Sequence, residues 1–468
     1  MSNIVSSDRP RRYFGVHYRL LRFLGLGWWH HPDEGDFRNF PSWYLYYSIL
    51  TQVVWVAGFV GLETIDPFVG EKDIDRFMFS LSFVITHDLT CIKLYLFFFK
   101  NRAIQEIVRT IEIDVYDYYQ NVDKNRRTIR ITKVMTASFV FFGWITIGNT
   151  NVYGTIMDLR WKKEVALLNH TAVKPPRTLP QPIYIPWTYQ SDESYIATFV
   201  LETVGLLWTG HIVMTIDTFI GSLILHMSSQ FSILQEAFMT AYERALSQLI
   251  SDMPLDIYTQ EESINENIDI LKDRLDEIEA KVKSFYTDIQ IESAIEKSVK
   301  TCLRQHQLLI SCVEKFRVTY SYGFMTQLLS SMAAICVVMV QVSQDASSFK
   351  SIRLVTSLAF FMAMIIQLAI QCFTANELTL QVCPFINEYY FRYTIQGGPF
   401  RSFFLLLKSM TWFLRRDRCM SYSFIFSHND RFKWATLYSY FNVIMKTKAH
   451  QTHSANTEQK QSFNGCTI

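Results

Sequence analysis

Residues Ser194–Ile220 read SYIATFVLETVGLLWTGHIVMTIDTFI. A mostly apolar run of this length, as a helix rising about 1.5 Å per residue, crosses a hydrocarbon core of roughly 30 Å. Six further stretches read the same way: Ser42–Leu62, Ile74–Phe99, Thr132–Leu159, Tyr320–Val342, Ile352–Phe373 and Arg431–Met445. Strongly charged segments separate them, so the chain reads as an all-α membrane protein with seven transmembrane helices. One more apolar stretch, Ser402–Leu414, is brief, carries Lys408 and runs into RRDR. It reads as a buried cytoplasmic helix rather than an eighth span.

The chain of 468 residues is 49% hydrophobic and 15% aromatic with a net charge of +2, which excludes a disordered chain and argues against nucleic acid as a partner. The first forty residues carry six Arg and no apolar run suited to a cleavable signal peptide, so a retained N-terminus is expected. Of eight cysteines, only Cys466 falls in a segment placed outside the membrane, which leaves no intrachain extracellular disulfide.

Orientation follows from where Lys and Arg collect. Six Arg stand in the N-terminal arm, eight basic residues in Lys100–Lys133, and eight in Arg392–Lys433. The first loop, ETIDPFVGEKDIDR, has five acids and two bases. The positive-inside rule therefore puts the N-terminus in the cytoplasm and the C-terminus outside. Loop Arg160–Glu193 is then also outside, and in it Asn169-His170-Thr171 is a glycosylation acceptor pattern. A seven-helix receptor coupled to a G protein would have the opposite orientation. The chain has no Asn-Pro pair and no extracellular cysteine pair, so no G protein is expected as a partner.

Between the fourth and fifth spans, Ile264, Ile268, Leu271, Leu275, Ile278, Val282, Phe285 and Ile289 alternate spacings of four and three, an unbroken heptad seam on one helix face. The seam suits either packing on its own subunit or a coiled coil between subunits. At the start, RRYFGVHYRLLRFLGLG (Arg11–Gly27) mixes Arg with aromatics and leucines and is expected along the inner membrane surface, against anionic lipid. The chain thus divides into a cytoplasmic amphipathic segment (1–41), spans one to four (42–227), a cytoplasmic helical extension with the heptad insert (228–319), spans five and six (320–373), a cytoplasmic anchor segment (374–430), a seventh helix (431–445) and an extracellular tail (446–468).

The seventh helix carries ATLYSYFNVIMKTK (Ala435–Lys448), in which Thr436, Ser439 and Asn442 recur every third residue. A helix in lipid must hide such a polar stripe, in a helix seam, a water-filled cavity or a pore.

Three stretches resemble the insect odorant receptor family. They are LRQHQLLISCVEKFRVTYSYGFMTQLLSSMAAICVVMVQ (Leu303–Gln341), CFTANELTLQ (Cys372–Gln381) and LYSYFNVIM within the seventh helix, with looser support from PIYIPWTYQSDESYIATF before the fourth span. The resemblance implies a tetrameric, ligand-gated, non-selective cation channel in the plasma membrane. The last helix would line a central pore and a cytoplasmic anchor would join the subunits, as a homotetramer or a heterotetramer with a related subunit. It implies a pore formed by Thr436, Ser439, Asn442, Val443 and Lys446, with Val443 the hydrophobic gate, by alignment of Tyr440-Phe441-Asn442-Val443 with the family's terminal motif. The long cytoplasmic insert is more usual in the family's co-receptor, so a co-receptor subunit and a gustatory relative stay open beside a subunit that binds its own odorant.

A small volatile or apolar ligand needs an enclosed apolar pocket with few polar groups. The orientation and the position of the family's pocket point to the outer halves of spans two, three, four and six. Phe79 and Phe83, four apart on one face, stand in or near that zone, with Thr150, Tyr153, Gly154, Met157, Trp208, Ile212, Phe360 and Phe361. Gly154 is expected to leave space between Tyr153 and Met157. The ionisable His87, Asp88, His211 and Asp217 inside spans read as a buried polar pair or a water-lined vestibule, and spacing identifies no partner for them. No catalytic constellation, P-loop, dinucleotide glycine pattern or HExxH appears, and the His30-His31 and His450–His453 clusters lack converging ligands. Neither enzyme activity, a metal nor a cofactor is expected.

Overall fold

The computed structural model describes residues 13–27, 42–69, 74–167, 175–253, 275–347 and 351–395, and the regular elements among them are all helices. A short helix α1 (Gly15–Phe23) precedes a long one built of α2 (Ser42–Thr51), a π-helical segment (Gln52–Gly58) and α3 (Phe59–Val69). Then come α4 (Ile74–Phe99), α5 (Asn101–Glu112), α6 (Val122–Leu167), α7 (Asp192–Met239) and α8 (Ala241–Ser251). Next are α9 (Leu275–Phe285), α10 (Asp288–Ser347) and α11 (Ser351–Ile395). The described residues up to Phe385 belong to one compact unit.

Six of the described helices are long and apolar enough to cross a membrane, and they contain the first six expected spans. The seventh, Arg431–Met445, lies outside the described residues. Helices overrun the expected ends of the spans: α7 continues to Met239, past residue 228, α10 already begins at Asp288, and α11 passes Phe373. Apolar runs mark only the stretch that lipid could surround, whereas backbone hydrogen bonding continues wherever capping and packing support it. Trp43, Tyr46, Ile49, Leu50 and Val53 on the first span, and Phe141, Trp144, Ile145 and Val152 on α6, are exposed, an outward apolar surface of the kind lipid covers.

The expected first loop is corrected. Its opening residues continue α3 to Val69, where Glu63 and Asp66 are buried rather than solvated. Asp66 accepts from Arg76 at 2.9 Å, and Glu63 meets His87 Nδ1 at 2.6 Å.

The heptad seam is also corrected. The helix stops at Phe285 and restarts at Asp288. Thr287 N–H donates to the Gln290 side-chain oxygen at 3.0 Å, while Gln290 N–H donates to Thr287 O at 2.9 Å. This arrangement satisfies donors at a new helix start, in the manner of a capping box. Beyond the break the seam turns outward and Ile289 is 80% exposed. Before it, Ile278 and Val282 pack with Ala245, Leu246 and Leu249 of α8 and with Ile291 and Ile295 of α10, a satellite core of the same chain. Residues 254–274 with the earlier seam positions are outside the described set.

Helix α1 docks into the bundle. Phe14, Leu21, Leu24 and Leu26 are fully buried, Tyr13 stacks on His226 at 4.9 Å, and Phe14 meets Phe219 edge-on at 5.7 Å. Arg19 and Arg22 remain exposed. The apolar face of α1 meets protein, because α7 offers a complementary aromatic surface.

Candidate functional site

Residues 175–190 form a strap over α6 and α7, and Arg177 is its lock. Its guanidinium has no exposed side-chain surface and reaches Asp158 Oδ1 at 2.7 Å and Asp192 Oδ1 at 2.8 Å. It lies over the rings of Trp161 at 4.5 Å and Tyr195 at 3.9 Å. A planar, permanently charged fork suits that combination of carboxylates and aromatic faces better than an ammonium does. Trp161 Nε1 donates to Pro175 O at 2.8 Å, Trp187 Nε1 donates to Thr198 Oγ1 at 3.0 Å, and Tyr184 N–H donates to Leu62 O at 3.3 Å, which ties the strap to α3. The space expected beside Gly154 is taken by the strap, since a Cβ there would lie 2.6 Å from Pro180 Cγ.

Beside the strap, three helices bring aromatic rings together. Phe79 and Phe83 of α4 meet edge-on with centroids 5.3 Å apart, Tyr153 of α6 lies 6.3 Å from Phe79, and Phe360 of α11 lies 5.1 Å from Phe83. The Arg353 guanidinium is 5.4 Å from the Phe79 centroid. Such pairs add about 0.5–1.5 kcal/mol beyond the area they bury. Thr150 is buried, with its hydroxyl on Thr146 O, and Met157 and Phe361 are half-buried. Ile212 is fully buried in the main core, and Trp208 faces Phe23, at the end of α1, at 5.6 Å. Phe79, Phe83, Tyr153 and Phe360 thus form one cluster, while Trp208 contributes to the α1 contact.

A polar group adjoins the cluster. The ring of His87 lies 6.2 Å from Phe83 and 6.4 Å from Phe59, and Glu63 is its partner. Phe59 also packs against Gly205 of α7, so Glu63 one turn along α3 and Glu202 three residues before Gly205 face the same α3–α7 seam. Glu202 Oε1 accepts from Gln181 N–H of the strap at 2.6 Å. Asp88 accepts from Thr64 Oγ1 at 3.1 Å, and His211 accepts from Trp144 Nε1 at 3.0 Å.

Deeper along the bundle, Asp217 of α7 accepts from Lys93 of α4 at 2.5 Å and from Gln367 of α11. Both charges are buried, which paired, hydrogen-bonded groups tolerate. Glu63, Glu202, Lys93 and Gln367 were not singled out in the sequence. For Glu202, Lys93 and Gln367 the signal is a polar residue inside an apolar run whose partner stands too far along the chain for spacing to find, whereas Glu63 stands in the stretch read as the first loop. No group of metal-ligating side chains occurs among the described residues. Asn169 and the pore positions Thr436, Ser439, Asn442, Val443 and Lys446 lie outside them.

A family model described as 7tm Odorant receptor matches residues 73–391. Odorant receptor Or1 of Anopheles gambiae is 20% identical over 400 residues, covering 84% of this chain and 86% of that protein. The solved structure of the insect olfactory receptor OR5 from Machilis hrabei matches with a TM-score of 0.51 at 14% identity, over 79% of this chain and 80% of that one. The same receptor in complex with eugenol matches with a TM-score of 0.52 at 14% identity, over 79% and 81%.

Proposed function

Because the chain belongs to the 7tm odorant receptor family and is a multi-pass membrane protein, we propose that it is an odorant-gated cation-channel subunit whose ligand lies against the Phe79–Phe83–Tyr153–Phe360 cluster. The observation that carries this reading is the convergence of those four rings from three helices beside a strap fixed by Arg177. Rings of this kind suit a small, mostly apolar molecule, whose affinity must come from shape and dispersion. The fold match to a receptor solved with eugenol supports a ligand of that size. Thr150, Gly154, Met157, Trp208, Ile212 and Phe361 are the further ligand-site candidates.

The rest of the proposal concerns orientation and assembly. The distribution of basic residues supports a cytoplasmic N-terminus, hence an outer loop in which Asn169 would be glycosylated and an extracellular tail beyond a seventh helix over 431–445. Membership of the family supports a place in the plasma membrane and four subunits around one pore. Thr436, Ser439 and Asn442 would line that pore. Four Val443 side chains would close it, since an ion shedding water there gains no polar contacts in return. On such a helix Asn442 would lie about 100° round from Val443, so a modest rotation would exchange valine for amide and open the path.

The test is a panel of small aromatic and aliphatic volatiles applied to cells expressing the chain, alone and with a related subunit. Phe83→Ala and Tyr153→Ala should shift the effective concentration of at least some ligands by about tenfold while surface expression holds, as expected when an aromatic contact worth about 1.4 kcal/mol is lost. An unaltered ligand profile at normal expression would sink the cluster as the site. Current only when a partner supplies the ligand specificity would favour the co-receptor reading.

A further inference from the structure

A cavity of about 20 Å³ lies between α4, α7, α10 and α11, lined by Lys93, Asp217, Tyr320, Gln327 and Gln371 with apolar neighbours. It is too small for an odorant but exceeds the roughly 10–15 Å³ that one water needs. Its lining is mostly apolar, with a few polar side chains set into it. Tyr320 is 5% exposed and Gln327 is 1% exposed, and both reach the cavity. The Tyr320 hydroxyl and Gln327 Oε1 have no hydrogen-bond partner among the described residues. The Gln327 amide nitrogen is satisfied by Ser331 Oγ at 2.7 Å. Tyr320 and Gln327 stand seven apart on α10, on one face, opposite the Lys93–Asp217 pair of α4 and α7.

We infer that this cavity binds one ordered water, which accepts from the Tyr320 hydroxyl, donates to Gln327 Oε1 and completes its bonding on the Lys93–Asp217 pair. One donor, one acceptor and a neutralised ion pair around a space of this size match the two to four partners a buried water takes. A monovalent cation fits less well, because the Lys93 ammonium already sits on the Asp217 carboxylate. The water joins α10 to the α4–α7 pair, and Gln367 extends the network to α11. Four helices are thereby held through one polar node, and any motion that separates α10 from α4 has to break it.

The sign of one substitution decides the matter, without any odorant. With water in place, Tyr320→Phe removes a bond and lowers the melting temperature of the detergent-solubilised protein by about 1–3 °C. In a dry cavity the same change deletes a desolvated hydroxyl and raises the melting temperature, which overturns the inference. The double variant Tyr320→Phe/Gln327→Met should lose less than the sum of the single losses, because both groups serve one water, and strict additivity also contradicts it. Replacing sodium by N-methyl-D-glucamine should leave the melting temperature unchanged, and a sodium-dependent rise would assign the cavity to a cation instead. Should Tyr320→Phe fail to fold, a map of the unmodified protein that resolves interior waters decides: density within hydrogen-bond distance of both Tyr320 and Gln327 supports the site, and none there overturns it.

Discussion

Arg177 meets two carboxylates and two aromatic faces with no side-chain surface left to solvent. Arg177→Lys keeps the charge and loses both the fork and the stack, so we expect it to destabilise the protein by about 2–4 kcal/mol, measured by thermal unfolding in detergent against the parent. His17 carries a second prediction. The hydroxyls of Thr136 and Ser222 donate to Thr132 O and Thr218 O, so His17 Nε2–H is the donor to Thr136 Oγ1 at 3.1 Å. Burial pushes the His17 imidazole down to about 4. The folded protein thus keeps it neutral where an unfolded chain, titrating near 6.5, takes up a proton. Its contribution is complete above about 6.5 and is lost as pH falls toward 4, by up to about 3 kcal/mol. Unfolding followed from pH 7.5 to 5 should show the loss, and His17→Gln should show less of it; equal slopes would mean that other groups set the dependence. Spacing alone made Phe79 and Phe83 legible as one face, because four residues bring side chains together on a helix. It could not pair Arg177 with Asp158 and Asp192, since that pairing depends on how the strap folds back.

The elements were legible to the extent that hydrocarbon length and apolar composition define them. All six described membrane-crossing helices were expected, and their overruns were not, because charged turns extend a helix as well as apolar ones do. The Thr287–Gln290 cap was present in the sequence, but the hydrophobic seam runs across it and hid the break. Glu63 and Asp66 looked like loop charges because acids in a run that ends a span usually are, and only the packing of α3 against α4, with Phe59 against Gly205 of α7, shows them buried. The Lys93–Asp217 pair joins α4 to α7, and its energetics are testable. Asp217→Leu leaves a buried ammonium uncompensated and should cost about 3–5 kcal/mol, whereas Lys93→Met/Asp217→Leu should regain most of that loss, since two apolar groups leave no orphan charge. A double variant as unstable as Asp217→Leu would show that the pair is needed for more than mutual neutralisation.

In the proposed channel, a ligand at the aromatic cluster of α4, α6 and α11 would act on a pore formed by the seventh helix. Val443 is the residue where that link can be probed: if its side chains form the proposed dry constriction, Val443→Ser should raise the current in the absence of ligand by several-fold, because a hydroxyl ring would hydrate it. Unchanged leak and ligand sensitivity in a variant that reaches the cell surface would remove Val443 from the gate. Whether the chain is itself a ligand-gated channel is read from ligand-evoked current in excised membrane patches bathed without nucleotides, from cells expressing this chain alone or with a related subunit. We predict a cation current that appears within the patch when a small volatile ligand is applied and that shifts to higher concentrations in Phe83→Ala. Ligand binding with no current in either expression condition, or a current that requires added GTP, would contradict it.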